Sequence, residues 1–239
     1  MTVHLVAGLG EVGSAIYEVL RDGGFETQGV DSAKRIFPVP IGTAMPDGYV
    51  LHVCFPYDQF FIEQVMALAG GASLVIVHST VRPGTCDPNG WIHSPVQGQH
   101  PNLASGVRTF VKWFGGRHAA EAADIFEACG VSTRVFGRAL TTEVAKVFDT
   151  TRYGWEIVWA KESARICTEL GVAPVILKLW TRDYNNGYKA LDKGYLRRSI
   201  LTATPGPIGG HCVIPNLSLI QDRLLDLIRS FNYGYQEGC

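Results

Sequence analysis

The run Gly8-Leu9-Gly10-Glu11-Val12-Gly13 follows an apolar stretch, Val3–Ala7, and opens an amphipathic one, Val12–Asp22. Glycines at this spacing allow a tight strand-to-helix turn, close approach of backbone to a pyrophosphate, and contact between helix and strand. The helix N-terminus adds amide donors and a positive dipole. Asp31 closes the next apolar run, eighteen residues after Gly13, where a carboxylate accepts hydrogen bonds from an adenosine ribose. Gly8, Gly10, Glu11, Val12, Gly13 and Asp31 are therefore the expected dinucleotide-binding residues. A carboxylate at position 31 repels a 2′-phosphate, so NAD is expected ahead of NADP, with Lys34 and Arg35 as solvated charges beyond it.

Two further segments carry reactive or ligand-facing groups. Ser79-Thr80-Val81-Arg82-Pro83-Gly84-Thr85 follows an apolar run ending at His78, at the edge of the sheet where open α/β folds bind ligands. Gly206-Pro207-Ile208-Gly209-Gly210-His211-Cys212 places a thiol in a glycine-lined loop, with His211 beside it to orient or acidify it. The remaining cysteines show no CxxC pair and no zinc-finger spacing, and Cys54, Cys129 and Cys167 read as packing residues.

The elements that position these groups change texture midway. Strand-like runs at Val3–Ala7, Glu26–Val30, Tyr49–Cys54, Ser73–His78, Gly90–His93, Thr109–Phe114 and Thr133–Phe136 alternate with amphipathic stretches such as Phe60–Leu68 and Ala119–Cys129. That alternation predicts an α/β fold with a Rossmann-type, doubly wound parallel sheet. From Thr141 the periodicity becomes helical as far as Leu170. A shorter helix is predicted at Val175–Arg182, a loop over Asn185–Pro215, and a last helix near Leu217–Phe231. The expected division is 1–138, dinucleotide-binding, and 139–239, a smaller helical substrate and dimerisation domain.

Composition bounds the rest. The 239 residues are 46% hydrophobic, with 21 Lys+Arg against 22 Asp+Glu. That balance offers no electrostatic footprint for nucleic acid or an anionic membrane, and no apolar segment reaches a bilayer's thickness. A cytoplasmic protein acting on a small molecule is expected. The aromatics Tyr153, Trp155, Trp159 and Trp180 at helical spacings suggest core or subunit contact, and a homodimer through the helix 141–170.

Taken in order from Val3 to Pro215, these segments resemble the UDP-glucose/GDP-mannose dehydrogenase family. The likeness rests on the glycine fingerprint, Cys54-Phe55-Pro56, Ser79–Thr85, His93-Ser94-Pro95, Glu143-Val144-Ala145-Lys146 and Gly-Gly-His211-Cys212. The resemblance implies an NAD-dependent dehydrogenase acting on an alcohol of a sugar-like substrate. Pro56, Ser79 and Thr80 would then sit at the cofactor. Cys212 would be the nucleophile that captures an aldehyde as a thiohemiacetal, Lys146 would steady the oxyanion, and Thr80 and His211 would complete the catalytic set.

The chain departs from the family pattern at three places. Val96 stands where the family shows Glu, Thr150 where it shows Asn, and Asn216 where it shows Asp. His93 and His100, flanking the polar loop Ser94–Gln99, are candidates to replace the missing Glu as proton carriers. The family's C-terminal nucleotide-binding domain has no room in 239 residues, so the cofactor is expected to be kept and the substrate to differ. Two alternatives stand beside this reading. One is a two-electron hydroxyacid-type dehydrogenase using Lys146 without Cys212, and the other a catalytically silent dinucleotide-binding protein.

Overall fold

The structure, a computed structural model, describes residues 2–31, 47–98, 101–210 and 212–236. Lys34, Arg35, His100, His211 and Cys239 lie outside the described residues. The chain divides into two compact units, Met1–Lys146 and Val147–Cys239.

The first unit is a seven-stranded sheet with helices on both faces. Its strands are β1 (His4–Ala7), β2 (Thr27–Val30), β3 (Val50–Val53), β4 (Leu74–Val77), β5 (Ile92–His93), β6 (Lys112–Gly115) and β7 (Thr133–Phe136), in the order β2-β1-β3-β4-β5-β6-β7. The helices are α1 (Glu11–Asp22), α2 (Phe61–Leu68), α3 (Leu103–Thr109) and α4 (Ala119–Ala128). Side chains alternate between faces along each strand. Val6, Val50, Ile76 and Phe114 therefore pack with Ile16, Val19, Leu20 and Phe126 on one side. Leu5, Leu51, Val53 and Val77 pack with Phe61 and Val65 on the other.

The sheet differs from the all-parallel expectation at one pair. His93 of β5 meets Gly115 of β6 antiparallel, and every other pair is parallel. The intervening α3 lies over α1, where Arg108 bonds Glu18 at 3.0 Å and Asp22 at 2.7 Å. The chain is thus returned to the sheet at the end it left, and β6 runs against β5. A parallel neighbour would have needed a full crossover.

The helix α5 (Ala139–Glu169) begins in the first unit. The second unit adds α6 (Val175–Ala190), α7 (Val213–Asn216) and α8 (Arg223–Gln236), and its buried apolar residues include Val147, Val158, Ile208, Val213, Leu217, Leu225 and Ile228. Two predicted boundaries are corrected. α6 runs eight residues past Arg182, because buried Asn185 accepts a bond from Arg198 N and donates to Arg198 O, at 2.8 and 2.9 Å. The last helix starts at Arg223 rather than Leu217, because the Asp222 carboxylate accepts the Leu224 amide at 2.8 Å and caps that end.

Candidate active site

The glycine turn has the shape its residues require. Gly8 has φ +85°, and a Cβ there would lie 2.8 Å from Phe55 N. At Gly13 a Cβ would meet Gly8 O at 1.7 Å, so α1 can seat against the turn only with glycine. Gly10 differs: a Cβ there would find nothing within 4 Å. The protein itself leaves this face open, which is the cradle a pyrophosphate needs. Leu9 N donates to Asp31 Oδ2 at 2.6 Å, which ties the acid at the end of β2 to the turn. Ser14 Oγ donates to Leu9 O at 3.0 Å, fixing the first turn of α1, where Glu11 and half-buried Val12 follow.

The Ser79–Thr85 segment is held from several sides. Ser79 Oγ donates to Phe55 O at 2.6 Å, beside exposed Pro56, and Thr85 Oγ1 donates to Arg82 O at 2.6 Å. Glu143, fully buried in α5, accepts the Gly84 amide at 2.6 Å and the Cys86 amide at 2.8 Å. In return, Asp87 accepts the Ala139 and Leu140 amides at 2.8 and 3.2 Å and caps α5. Loop and helix start are stitched together reciprocally, and half-buried Lys146 lies one turn beyond Glu143. In the sequence Glu143 stands out only as the first residue of the Glu143–Lys146 segment, with no role of its own. Its signal was an acid three residues before Lys146, on the same helix face.

His93 is not a proton carrier. It is completely buried, its Nε2 donates to Ser79 O at 3.2 Å, and its Nδ1 accepts from Thr142 Oγ1 at 2.8 Å. Burial pushes its pKa down to about 3. The ring is a neutral strut joining β5 to α5 and the Ser79 backbone.

A second polar array crosses the core of the same unit. His4 Nδ1, His52 Nε2, His52 Nδ1 and His78 Nε2 form two contacts of 3.0 Å each, and His78 Nδ1 lies 2.9 Å from Ser94 O. A carbonyl oxygen only accepts, so His78 donates through Nδ1 and accepts through Nε2. His52 then donates through Nδ1, and His4 likewise. One carbonyl thus fixes three tautomers. Lys112 Nζ donates to the same Ser94 O at 3.0 Å, and burial holds its pKa down to about 7. Burial also holds His4 down to about 4 and His52 and His78 well below the usual imidazole range.

In the second unit, exposed Cys212 immediately precedes α7. A Cβ on Gly154 would lie 2.8 Å from Val213 Cγ1, so the start of α7 sits tightly on α5. Asn216 Nδ2 donates to Thr150 Oγ1 at 3.5 Å. The two positions that depart from the family's Asp and Asn thus face each other. The geometry brings Gly8–Gly13, Asp31, Ser79, Thr80 and Lys146 into one unit and Cys212 into the other. Among the described residues, no three His, Cys, Asp or Glu side chains could hold a metal ion, and no helix is long and apolar enough to cross a membrane.

No protein-family model and no curated protein sequence matches the chain. Solved structures match it in fold. The UDP-D-ManNAc dehydrogenase of Pyrococcus horikoshii superposes with a TM-score of 0.78 at 19% identity, over 98% of this chain and 69% of that one. A UDP-glucose dehydrogenase from Pyrobaculum islandicum gives 0.73 at 17%, over 98% and 68%. The Mycobacterium tuberculosis 3-hydroxyisobutyrate dehydrogenase gives 0.67 at 16%, over 98% and 94%. The chain has the fold of these dehydrogenases. It spans about two thirds of the nucleotide-sugar enzymes and nearly all of the hydroxyisobutyrate enzyme.

Proposed function

We propose that the chain is an NAD-dependent oxidoreductase that oxidises an alcohol group of a small, polar or sugar-like substrate. The observation that carries this reading is the open face at Gly10, between a Gly8–Gly13 contact that admits no side chain and an Asp31 carboxylate tied to the Leu9 amide. Those residues fit a dinucleotide, and the Asp31 charge favours NAD over NADP. Bound NAD would supply the hydride acceptor. Gly8, Gly10, Glu11, Val12 and Gly13 would form the pyrophosphate turn, and Pro56, Ser79 and Thr80 would line the cofactor at the ends of β3 and β4.

Lys146 would hold the substrate hydroxyl and steady negative charge as its proton leaves, with Thr80 beside the reacting carbon. Cys212, as a thiolate, would add to the carbonyl carbon of the aldehyde product; the carbon–sulfur bond forms as the carbonyl oxygen takes a proton. His211, next in the chain, would orient that thiol. A homodimer through the helix 141–170 is supported by the exposure of Trp159 at 76% and Leu170 at 74%.

The second reading is a two-electron dehydrogenase that uses Lys146 without Cys212. It is favoured by the match in fold over 94% of the 3-hydroxyisobutyrate dehydrogenase chain. The test is reduction of NAD, followed by absorbance, with a panel of sugar alcohols and hydroxy acids. Turnover by wild-type protein that is lost in Lys146→Ala is expected. Loss in Cys212→Ala supports the thiohemiacetal route, and retention supports the two-electron route. No turnover with any substrate, despite cofactor binding, would leave a silent dinucleotide-binding protein.

A further inference from the structure

The stretch that carries Cys212 is held at both ends within the second unit. Upstream, the loop over residues 201–208 lies along α5, where Lys161 is only 9% exposed. Its ammonium donates to Thr204 O and, at 2.7 Å, to Gly206 O. Asn232 of α8, also buried, accepts the Ile208 amide on Oδ1 at 2.5 Å. Tyr235, one turn further along α8, sets its ring centre 5.0 Å from the same ammonium and donates to Glu162 at 3.0 Å, so the two helices grip the loop together.

Downstream, buried Val213 opens α7 against Gly154 of α5, where a Cβ would come within 2.8 Å of Val213 Cγ1 and 3.3 Å of Ile228 Cδ1. Only residues 209–212 lie between the two anchors. Gly209 and Gly210 bring no side chain to this span, and a Cβ on either would find nothing within 4 Å. The two glycines therefore take their course from the anchors, and the position of Cys212 follows.

An apolar side chain at position 161 would be buried at lower cost than an ammonium, whose desolvation draws the Lys161 pKa downward. What lysine adds is a pair of donors that reach carbonyls two residues apart, fixing the direction of the backbone as well as its place. Asn232 extends the hold to Ile208, the last residue before the glycines. We propose that Lys161 and Asn232 are positioning residues for Cys212, clamping its loop so that the thiol is presented at one place. Attack on a carbonyl carbon is sensitive to such placement, a displacement of about 1 Å costing on the order of 100-fold in rate. That use of the thiol rests on the reading above, whereas the clamp itself rests on the bonds to the loop.

The test is amide hydrogen exchange of the full chain, with the spectrum of a nitroxide attached to Cys212 as a second readout. Cys212→Ala, treated alike, supplies the blank. Lys161→Met keeps the length and removes the donors; exchange at Gly209 and Gly210 is expected to speed at least about tenfold, and the nitroxide lines to narrow. Asn232→Leu should do the same and also free the Ile208 amide. Lys161→Arg retains donors and should restore slow exchange. Val158 and Ile228 amides should keep their wild-type protection in each variant, which a lysine that merely stabilised the fold would not allow.

Unchanged exchange and line shape in Lys161→Met and Asn232→Leu overturn the proposal, as does equal loosening in Lys161→Arg. If Lys161→Met does not fold, Asn232→Leu alone decides. The alcohol-oxidation panel separates the two levels. Turnover that survives Cys212→Ala defeats the nucleophile reading and leaves the clamp standing, while fast exchange at Gly209 and Gly210 in the wild type defeats the clamp alone.

Discussion

Replacing Lys112 by Met should stabilise the first unit at neutral pH and lose that advantage in alkali. Lys112 is completely shielded among Phe114, Phe126, Ser94 and Pro95, with its ammonium 5.6 and 5.1 Å from the two ring centres. Burial and the like charge of Lys146 hold its pKa at about 7 against 10.5 in the unfolded chain. Each pKa unit is worth ~1.4 kcal/mol, so the full difference amounts to about 5 kcal/mol.

The folded pKa is the lower one. The contribution of Lys112 is therefore complete above 10.5, shrinks as pH falls, and is gone by about pH 7. Methionine has similar length and no charge to desolvate. Ser94 O keeps its His78 donor at 2.9 Å, so the substitution orphans no short bond there. Set against ~1 kcal/mol for each lost lysine hydrogen bond, Lys112→Met should be more stable than wild type by about 3 kcal/mol at pH 7. The gap should close by ~1.4 kcal/mol per pH unit above that. Urea unfolding of both proteins at successive pH values measures it. A gap that stays constant from pH 7 to 10, or a variant that is the less stable at pH 7, would refute the reasoning.

Three further outcomes follow from the same unit. His4 at about 4 and His93 at about 3, with His52 and His78 also lowered, must take up protons on unfolding below 6.5. Stability should thus fall from pH 6.5 toward 4 with a slope of more than one proton, and a flat urea midpoint between pH 7 and 5 would contradict the neutral histidine array. Glu143→Gln turns an acceptor toward the Gly84 and Cys86 amides into a partial donor. It should cost about 1–3 kcal/mol and speed hydrogen exchange at those two amides; unchanged protection there would sink the stitching argument. Gly13→Ala should disrupt the turn, because its Cβ would meet Gly8 O at 1.7 Å, whereas Gly10→Ala should fold normally and lose dinucleotide affinity. Equal affinity in Gly10→Ala would show that the open face is not the ligand's.

The glycine turn was legible in the sequence because its requirements are local: glycine spacing, one strand before, one helix after, and an acid closing the next strand. The strands of the sheet were legible for the same reason. The antiparallel β5–β6 pair was not, since it depends on α3 settling over α1. Nor was the array of His4, His52 and His78, whose members are joined only by the register of β1, β3 and β4. Three separated histidines carry no periodic signal. Asn185-Asn186-Gly187 reads as a loop, yet Asn185 bonds the Arg198 backbone and the helix continues through it, tertiary bonding overriding local preference. His93 has the residue type for acid–base work, and only its burial shows that it does none.

The central claim is that the turn at Gly8–Gly13 and Asp31 holds NAD, and isothermal titration of the purified chain with NADH and NADPH tests it most directly. One site per chain is expected, with NADH bound at least about tenfold more tightly, a preference of ~1.4 kcal/mol or more. The absence of binding heat for both nucleotides would contradict the account.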